Sequence, residues 1–196
     1  VWSRFFLESV EHEQISTDWK VGFPLGLRYG MWDFRLTLQH VSSHFGDDYL
    51  DDNPQDVFQS SREGFELLAA LRPGADLRFY AGGDLNLGRS EDFTGTGEPD
   101  DPYVIFTTVE KWAVRFGAEW DQTRWGDRRI APFAAANFEI TEFTDRIATL
   151  LKFGAAFRVK TLRFWLDLEY HRGPSPMGQF RTVDESWVGL NFMGEI

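Results

Sequence analysis

Apolar and polar residues alternate with a period of two along most of this chain, and that pattern confines it to β-structure. Trp19, Val21, Phe23, Leu25, Leu27 and Tyr29 share one parity, while Lys20, Gly22, Pro24, Gly26 and Arg28 share the other. Successive side chains of a strand point to opposite faces, so such a segment has one apolar and one polar face. After a short turn, Trp32, Phe34, Leu36 and Leu38 alternate with Asp33, Arg35, Thr37 and Gln39. The pattern returns over 77–87, 112–120, 147–159 and 162–170, with weaker copies at 1–11, 61–72, 129–140 and 186–194. No segment carries a convincing helical period. The expectation is an all-β fold of about ten strands, in a single domain over 1–196.

The connections carry a second pattern. Links near 29–32, 72–76, 122–129 and 158–161 are short, whereas 11–18, 45–61, 88–110, 140–146 and 171–185 are mostly longer and often acidic. Short and long links in strict turn predict an up-and-down antiparallel meander with tight turns at one end and loops at the other. Outer-membrane barrels are built this way, with short periplasmic turns and longer extracellular loops. Composition narrows the partners. With 31 acidic against 20 basic residues the formal charge is −11, and no basic stripe is present to neutralise nucleic-acid phosphates. The absence of cysteine removes a disulfide scaffold, thiolate catalysis and Cys-type zinc sites. No apolar run reaches the roughly 18 residues of a membrane helix. The chain opens at Val1 without a charged-then-apolar leader, as expected of a mature or truncated form.

Alternation leaves open which face points inward. A soluble barrel of the fatty-acid-binding kind would put the rings inside. The apolar parity, however, carries Phe, Leu and Trp in numbers that would overfill a small barrel. The opposite parity is rich in glycine and in charges of both signs, which suits a narrow lumen of mutually neutralising pairs. Trp19, Tyr29, Trp32, Trp112, Trp120 and Tyr170 lie near strand ends, where aromatic girdles meet a membrane interface. The expected fold is therefore a closed transmembrane β-barrel in a bacterial outer membrane, in contact with lipid and lipopolysaccharide.

One stretch has residues that can carry chemistry. The third strand runs into His40-Val41-Ser42-Ser43-His44-Phe45-Gly46-Asp47. His40 and Ser42 continue the outward parity of Leu36 and Leu38, and about ten residues from the turn bring them to the outer leaflet boundary. A His and a Ser two apart on one strand face can act as base and nucleophile. Glu63 shares the outward parity of Phe65 and Leu67 on the next strand and should stand beside His40, where a carboxylate can orient the imidazole. Backbone N–H groups around Ser43 to Gly46 are candidate oxyanion donors. The plain alternative is that the rim His and Ser hydrogen-bond loop backbone. Asp47, Asp48, Asp51, Asp52 and Asp56 form one acidic loop, and Glu98, Asp100 and Asp101 another. These read as solvated loops, or as binders of Ca²⁺ or Mg²⁺ among lipopolysaccharide phosphates, although no EF-hand spacing is present. No cofactor or resident metal site is expected.

The stretch 18–50, with Asp18-Trp19-Lys20-Val21-Gly22-Phe23-Pro24-Leu25 and the His40–Asp47 run, resembles a bacterial family catalogued as a domain of unknown function and assigned to the cell envelope. Tyr170-His171-Arg172-Gly173-Pro174-Ser175-Pro176 resembles its C-terminal signature. Members of that family begin further upstream, which implies that an N-terminal hairpin is missing from this chain and leaves ten or twelve strands open. The His-x-Ser pair with a nearby Glu is also similar to outer-membrane lipid A deacylases. That resemblance implies His40 as general base, Ser42 as nucleophile and Glu63 as orienting acid. The chain departs from those enzymes in having Ser43 where Asn usually follows the nucleophile, and in the later position of Glu63. Two functions follow as expectations: a lipid or lipopolysaccharide acyl-ester hydrolase, or a non-catalytic barrel docked among envelope proteins.

Overall fold

The computed structural model describes residues 2–5, 14–46, 60–87, 92–94, 104–106, 111–122, 129–142, 144–159, 162–176 and 183–195. In chain order the strands are β1 (Trp2–Phe5), β2 (Gln14–Tyr29), β3 (Trp32–Phe45), β4 (Ser60–Leu71), β5 (Leu77–Asn86), β6 (Asp92–Thr94) and β7 (Val104–Phe106). They continue as β8 (Trp112–Asp121), β9 (Ile130–Thr141), β10 (Thr144–Val159), β11 (Leu162–Pro174) and β12 (Asp184–Glu195). One ten-stranded sheet follows the order β1-β2-β3-β4-β5-β8-β9-β10-β11-β12, and β6 pairs with β7 apart from it. Every pairing is antiparallel, so the sheet is an up-and-down meander. Among the described residues there is no helix.

Tight turns set the register. Tyr29 pairs with Trp32 across Gly30 and Met31, and Gly30 has a φ of 58°. A two-residue hairpin loop of this kind needs a positive φ at its first central position, which glycine adopts without a Cβ penalty. From there fourteen successive pairs run without a slip to Ser16↔Phe45. At the same end Asp33 receives Arg28 Nε at 2.6 Å and Arg72 Nε, while Arg72 N–H donates to the Met31 carbonyl at 2.8 Å. Adjacent turns are thereby tied together. The opposite end is fastened at β11. Buried His171 stacks on Trp187 at 5.3 Å, and its Nε2 donates to the Pro174 carbonyl at 3.1 Å. Gly173 follows with φ 121°, where a Cβ would meet the Ile147 carbonyl at 2.7 Å.

The two faces differ in kind. Rows of like side chains cross the sheet on one of them, as in Phe23↔Leu38↔Phe65↔Leu85↔Trp112. These groups are open: Phe23 is 73% exposed, and Val188 and Phe192 are each 71% exposed. On the other face Glu66 is 3% and Thr37 and Gln39 are each 7% exposed. The buried apolar residues Leu68, Ala70, Ala113, Ala131 and Ala156 also lie on that polar side. No second sheet layer among the described strands covers them. Much of the close packing on that side goes to small and hydrogen-bonded side chains, although the rings of Tyr80, Phe133, Trp165 and Trp187 share its parity.

The expected alternation and strand order appear, with local differences. The link expected over 140–146 is a tight connection, since Thr141 pairs with Thr144. Within 88–110, expected as plain loop, β6 and β7 form a small pair. Strand β2 already begins at Gln14, inside the expected 11–18 link. The acidic clusters at 47–56 and 98–101 lie outside the described residues.

Candidate functional site

At the loop end of the apolar face, the register places His40 directly between Val21 on β2 and Glu63 on β4. His40 Nδ1 lies 3.7 Å from Glu63 Oε1, with the two side chains 46% and 71% exposed. Ser42 stands one step higher, between Trp19 and Ser61. Two residues of strand separate the Cβ atoms of His40 and Ser42 by about 7 Å, within reach of an imidazole and a hydroxyl that lean together. Among the described residues no hydrogen bond joins them. The Glu63 backbone is fixed, because its carbonyl accepts the Leu87 N–H at 2.8 Å. Below the pair lies a groove of about 380 Å³ lined by Val21, Phe23, Leu38, Phe65 and Leu87, with His40 and Glu63 on its wall.

Chemically this is a base with an acid behind it at the mouth of an apolar trough. With Nδ1 turned to the carboxylate, Nε2 is the ring nitrogen left for Ser42. Ser43, by contrast, is 1% exposed and points to the polar face, so it does not join the outward set. Beyond Ser43 the described β3 backbone pairs only with β2, as His44↔Thr17 and Phe45↔Ser16. Among the described residues no cluster of three or more metal-ligating side chains occurs.

The polar face holds an ion network of the kind its two-signed charges imply, with pairings that the sequence does not specify. Glu66 receives Arg35 Nη2 at 2.8 Å, Arg115 Nη1 at 2.8 Å and Lys20 Nζ at 3.4 Å. Arg115 also binds Asp84 and lies 3.4 Å from Glu139, while Gln39 Nε2 donates to Asp84 at 3.0 Å. Further round, Glu169 takes Lys152 and Asn191, and Asn191 also donates to Asp167 at 2.9 Å. Parity alone assigns all of these to the inner face. Their partners become readable only with cross-strand register, since Glu66 and Arg115 are 49 positions apart.

Fold and site together define a class: an all-β antiparallel meander with one charged face and one apolar face, and a His–Glu pair at the loop end of the apolar face. Residues 1–193 match the family model described as a protein of unknown function (DUF1207), and the chain belongs to that family. No curated protein and no solved structure matches the chain.

Proposed function

We infer that the sheet closes as a transmembrane barrel of a bacterial outer membrane, and that His40, Ser42 and Glu63 form an acyl-ester hydrolase site at its outer rim. The observation that supports the membrane reading is that many large apolar side chains of one face are exposed, while Glu66, Thr37 and Gln39 on the other are buried. From Trp19 to Tyr29 the outward face is apolar over ten residue steps, about 33 Å along the strand. At the strand tilt of such barrels this covers an apolar band about 25 Å tall. Aromatic residues bound it at both ends, with Trp19 and Trp112 toward the loops and Tyr29 and Trp32 toward the turns.

In the hydrolytic reading the substrate is a lipid or lipopolysaccharide ester, its acyl chain in the trough under His40. His40 Nε2 removes the Ser42 hydroxyl proton as Oγ attacks the ester carbonyl. The proton then passes to the departing alkoxide, leaving an acyl-Ser42 that water hydrolyses with His40 again as base. The test is mass spectrometry of lipid A and phospholipids from cells carrying wild type or Ser42→Ala. A wild-type-dependent loss of acyl chains supports the site, and identical profiles remove it. The lack of a Ser42–His40 hydrogen bond favours a second reading, a non-catalytic barrel that docks in an envelope assembly. In that case Ser42→Ala is silent, while neutralising the aspartates at 47–56 lowers recovery of co-purifying envelope proteins.

A further inference from the structure

An ester attacked by Ser42 turns its carbonyl oxygen into an oxyanion, which needs a hydrogen-bond donor placed beforehand. A nucleophile set within a strand cannot take that donor from its own backbone. Ser42 pairs with Trp19 on β2 and with Ser61 on β4, and Ser43 pairs with Ser60, all in ladders without a slip. At the foot of the same ladder Arg72 N–H donates to the Met31 carbonyl. Odd-numbered residues of β3 therefore turn their backbone groups to β4, and even-numbered ones to β2. That alternation commits the Ser42 N–H to Trp19 and the Ser43 N–H to Ser60. The next N–H directed toward β4 belongs to Phe45, three residues or about 10 Å further along the strand. The donor has to be a side chain on the outward face.

We propose that the hydroxyl of Ser61 is the oxyanion donor of the rim site. Ser61 shares the outward parity of Glu63 and Phe65, is exposed, and stands directly opposite Ser42. The Glu63 carbonyl accepts from Leu87, so the odd-numbered residues of β4 turn their backbone groups away from β3. Ser42↔Ser61 is therefore a non-hydrogen-bonded pair, the kind in which facing side chains come closest. His40↔Glu63, one step below, is another, and there the two side chains lie 3.7 Å apart. Cβ atoms in such a pair are about 4.5–5.5 Å apart. A carbonyl carbon bonded to Ser42 Oγ can then place its oxygen about 2.7–3.1 Å from Ser61 Oγ. Trp19 flanks Ser42 on the β2 side in a hydrogen-bonded pair, where side chains stand further apart. As Ser42 Oγ bonds to the carbonyl carbon, the C=O electron pair moves to the oxygen, and Ser61 donates its hydrogen bond there without giving up the proton. When the C=O bond re-forms, the alkoxide leaves with the proton held by His40, and Ser61 is unchanged. The same contact serves the attack of water on acyl-Ser42. This assignment rests on the hydrolase reading of His40, Ser42 and Glu63, and adds a fourth side chain to it.

The test is steady-state hydrolysis of para-nitrophenyl palmitate by the purified full chain in detergent, together with labelling by an alkyl fluorophosphonate. Ser61→Ala should lower kcat about 100-fold and leave KM within about twofold, because the donor acts on the oxyanion and not on the bound ester. Ser61→Thr keeps a hydroxyl at the position and should recover most of the lost kcat. Trp19→Phe, which removes the indole N–H and keeps a ring, should leave kcat unchanged. Mass spectrometry should place the fluorophosphonate on Ser42 in wild type and in each of these variants. Ser61→Ala with the circular dichroism and the kcat of wild type overturns the assignment. Label found on Ser61 overturns it too, since Ser61 would then be the nucleophile, and so does a loss of kcat in Trp19→Phe alone. Wild type that neither cleaves the ester nor takes the label overturns the hydrolase reading itself, and the role of Ser61 with it. An active wild type indifferent to Ser61→Ala removes only the donor.

Discussion

Exposure decides how much each rim residue can contribute. Glu63 is 71% exposed on its side chain, and its contact to His40 is an ion-pair distance of 3.7 Å. An exposed pair of this kind is worth about 1 kcal/mol or less, so Glu63→Gln should slow ester hydrolysis by about fivefold in detergent. In a bilayer, where lipid displaces water, the effect should grow. Removing the base is a larger loss, and His40→Ala should cost about 10²–10⁴-fold. Hydrolysis of a chromogenic long-chain ester by the purified variants checks both figures. Equal losses for the two variants would contradict the assigned roles. A second prediction concerns Gly117, on β8 opposite Tyr80 and Asn137. A Cβ there would lie 2.5 Å from the Tyr80 hydroxyl, which donates to Asn137 Oδ1 at 2.8 Å. Gly117→Ala should therefore displace the ring, break that bond and destabilise the fold by about 1–3 kcal/mol. Urea titration of the refolded protein measures this, and an unchanged midpoint would exclude the crowding.

Whole strands test orientation more sharply than single sites do. Leu168 sits mid-strand on β11, between Phe153 on β10 and Leu190 on β12, all three on the exposed apolar face. Leu168→Arg should lower stability in lipid vesicles by about 2–4 kcal/mol, because a guanidinium at the bilayer midplane has no solvation. Val159, at the turn end of β10, is also exposed, and Val159→Arg should cost only about 0–1 kcal/mol. Equal costs at the two depths would contradict a membrane-crossing sheet. The strands that were legible in the sequence are those with this strict contrast between faces: β2, β3, β5, β8, β10 and β11. Strand β9 is fainter because alanine occupies both of its faces, at Ala131 and Ala135 inside and at Ala134 and Ala136 outside. The pair β6 and β7 has three residues each, too short for any period to register. His40 and Glu63 could be placed side by side because they share a parity and stand at similar height above the short turns near 29–32 and 72–76, even though a long link joins their strands. The inward turn of Ser43 also follows from parity. The lack of a Ser42–His40 hydrogen bond does not, since it depends on rotamers.

For the molecule as a whole, the decisive quantity is which rings meet hydrocarbon, and tryptophan reports it directly. The chain has eight tryptophans and no cysteine, so single-tryptophan variants with phenylalanine elsewhere keep an aromatic residue at every position. Trp19 and Trp112 are 50% and 41% exposed at the loop end of the outer face, and Trp32 is 44% exposed at the turn end. Trp165 and Trp187 have the opposite parity: Trp165 pairs with Ala156, which is buried, and Trp187 stacks on His171. In vesicles of lipids brominated along the acyl chain, the three outer tryptophans should be quenched. Bromines near the headgroup should act most strongly, because the rings lie at the two interfaces. Trp165 and Trp187 should be nearly insensitive at every bromine depth. Such a contrast arises only if the apolar face is wrapped by lipid and the charged face is sealed from it. Should Trp165 and Trp187 be quenched while Trp19, Trp32 and Trp112 respond only to aqueous iodide, the sheet would be curled the other way relative to lipid. The rim site would then lose the membrane that gives it its role.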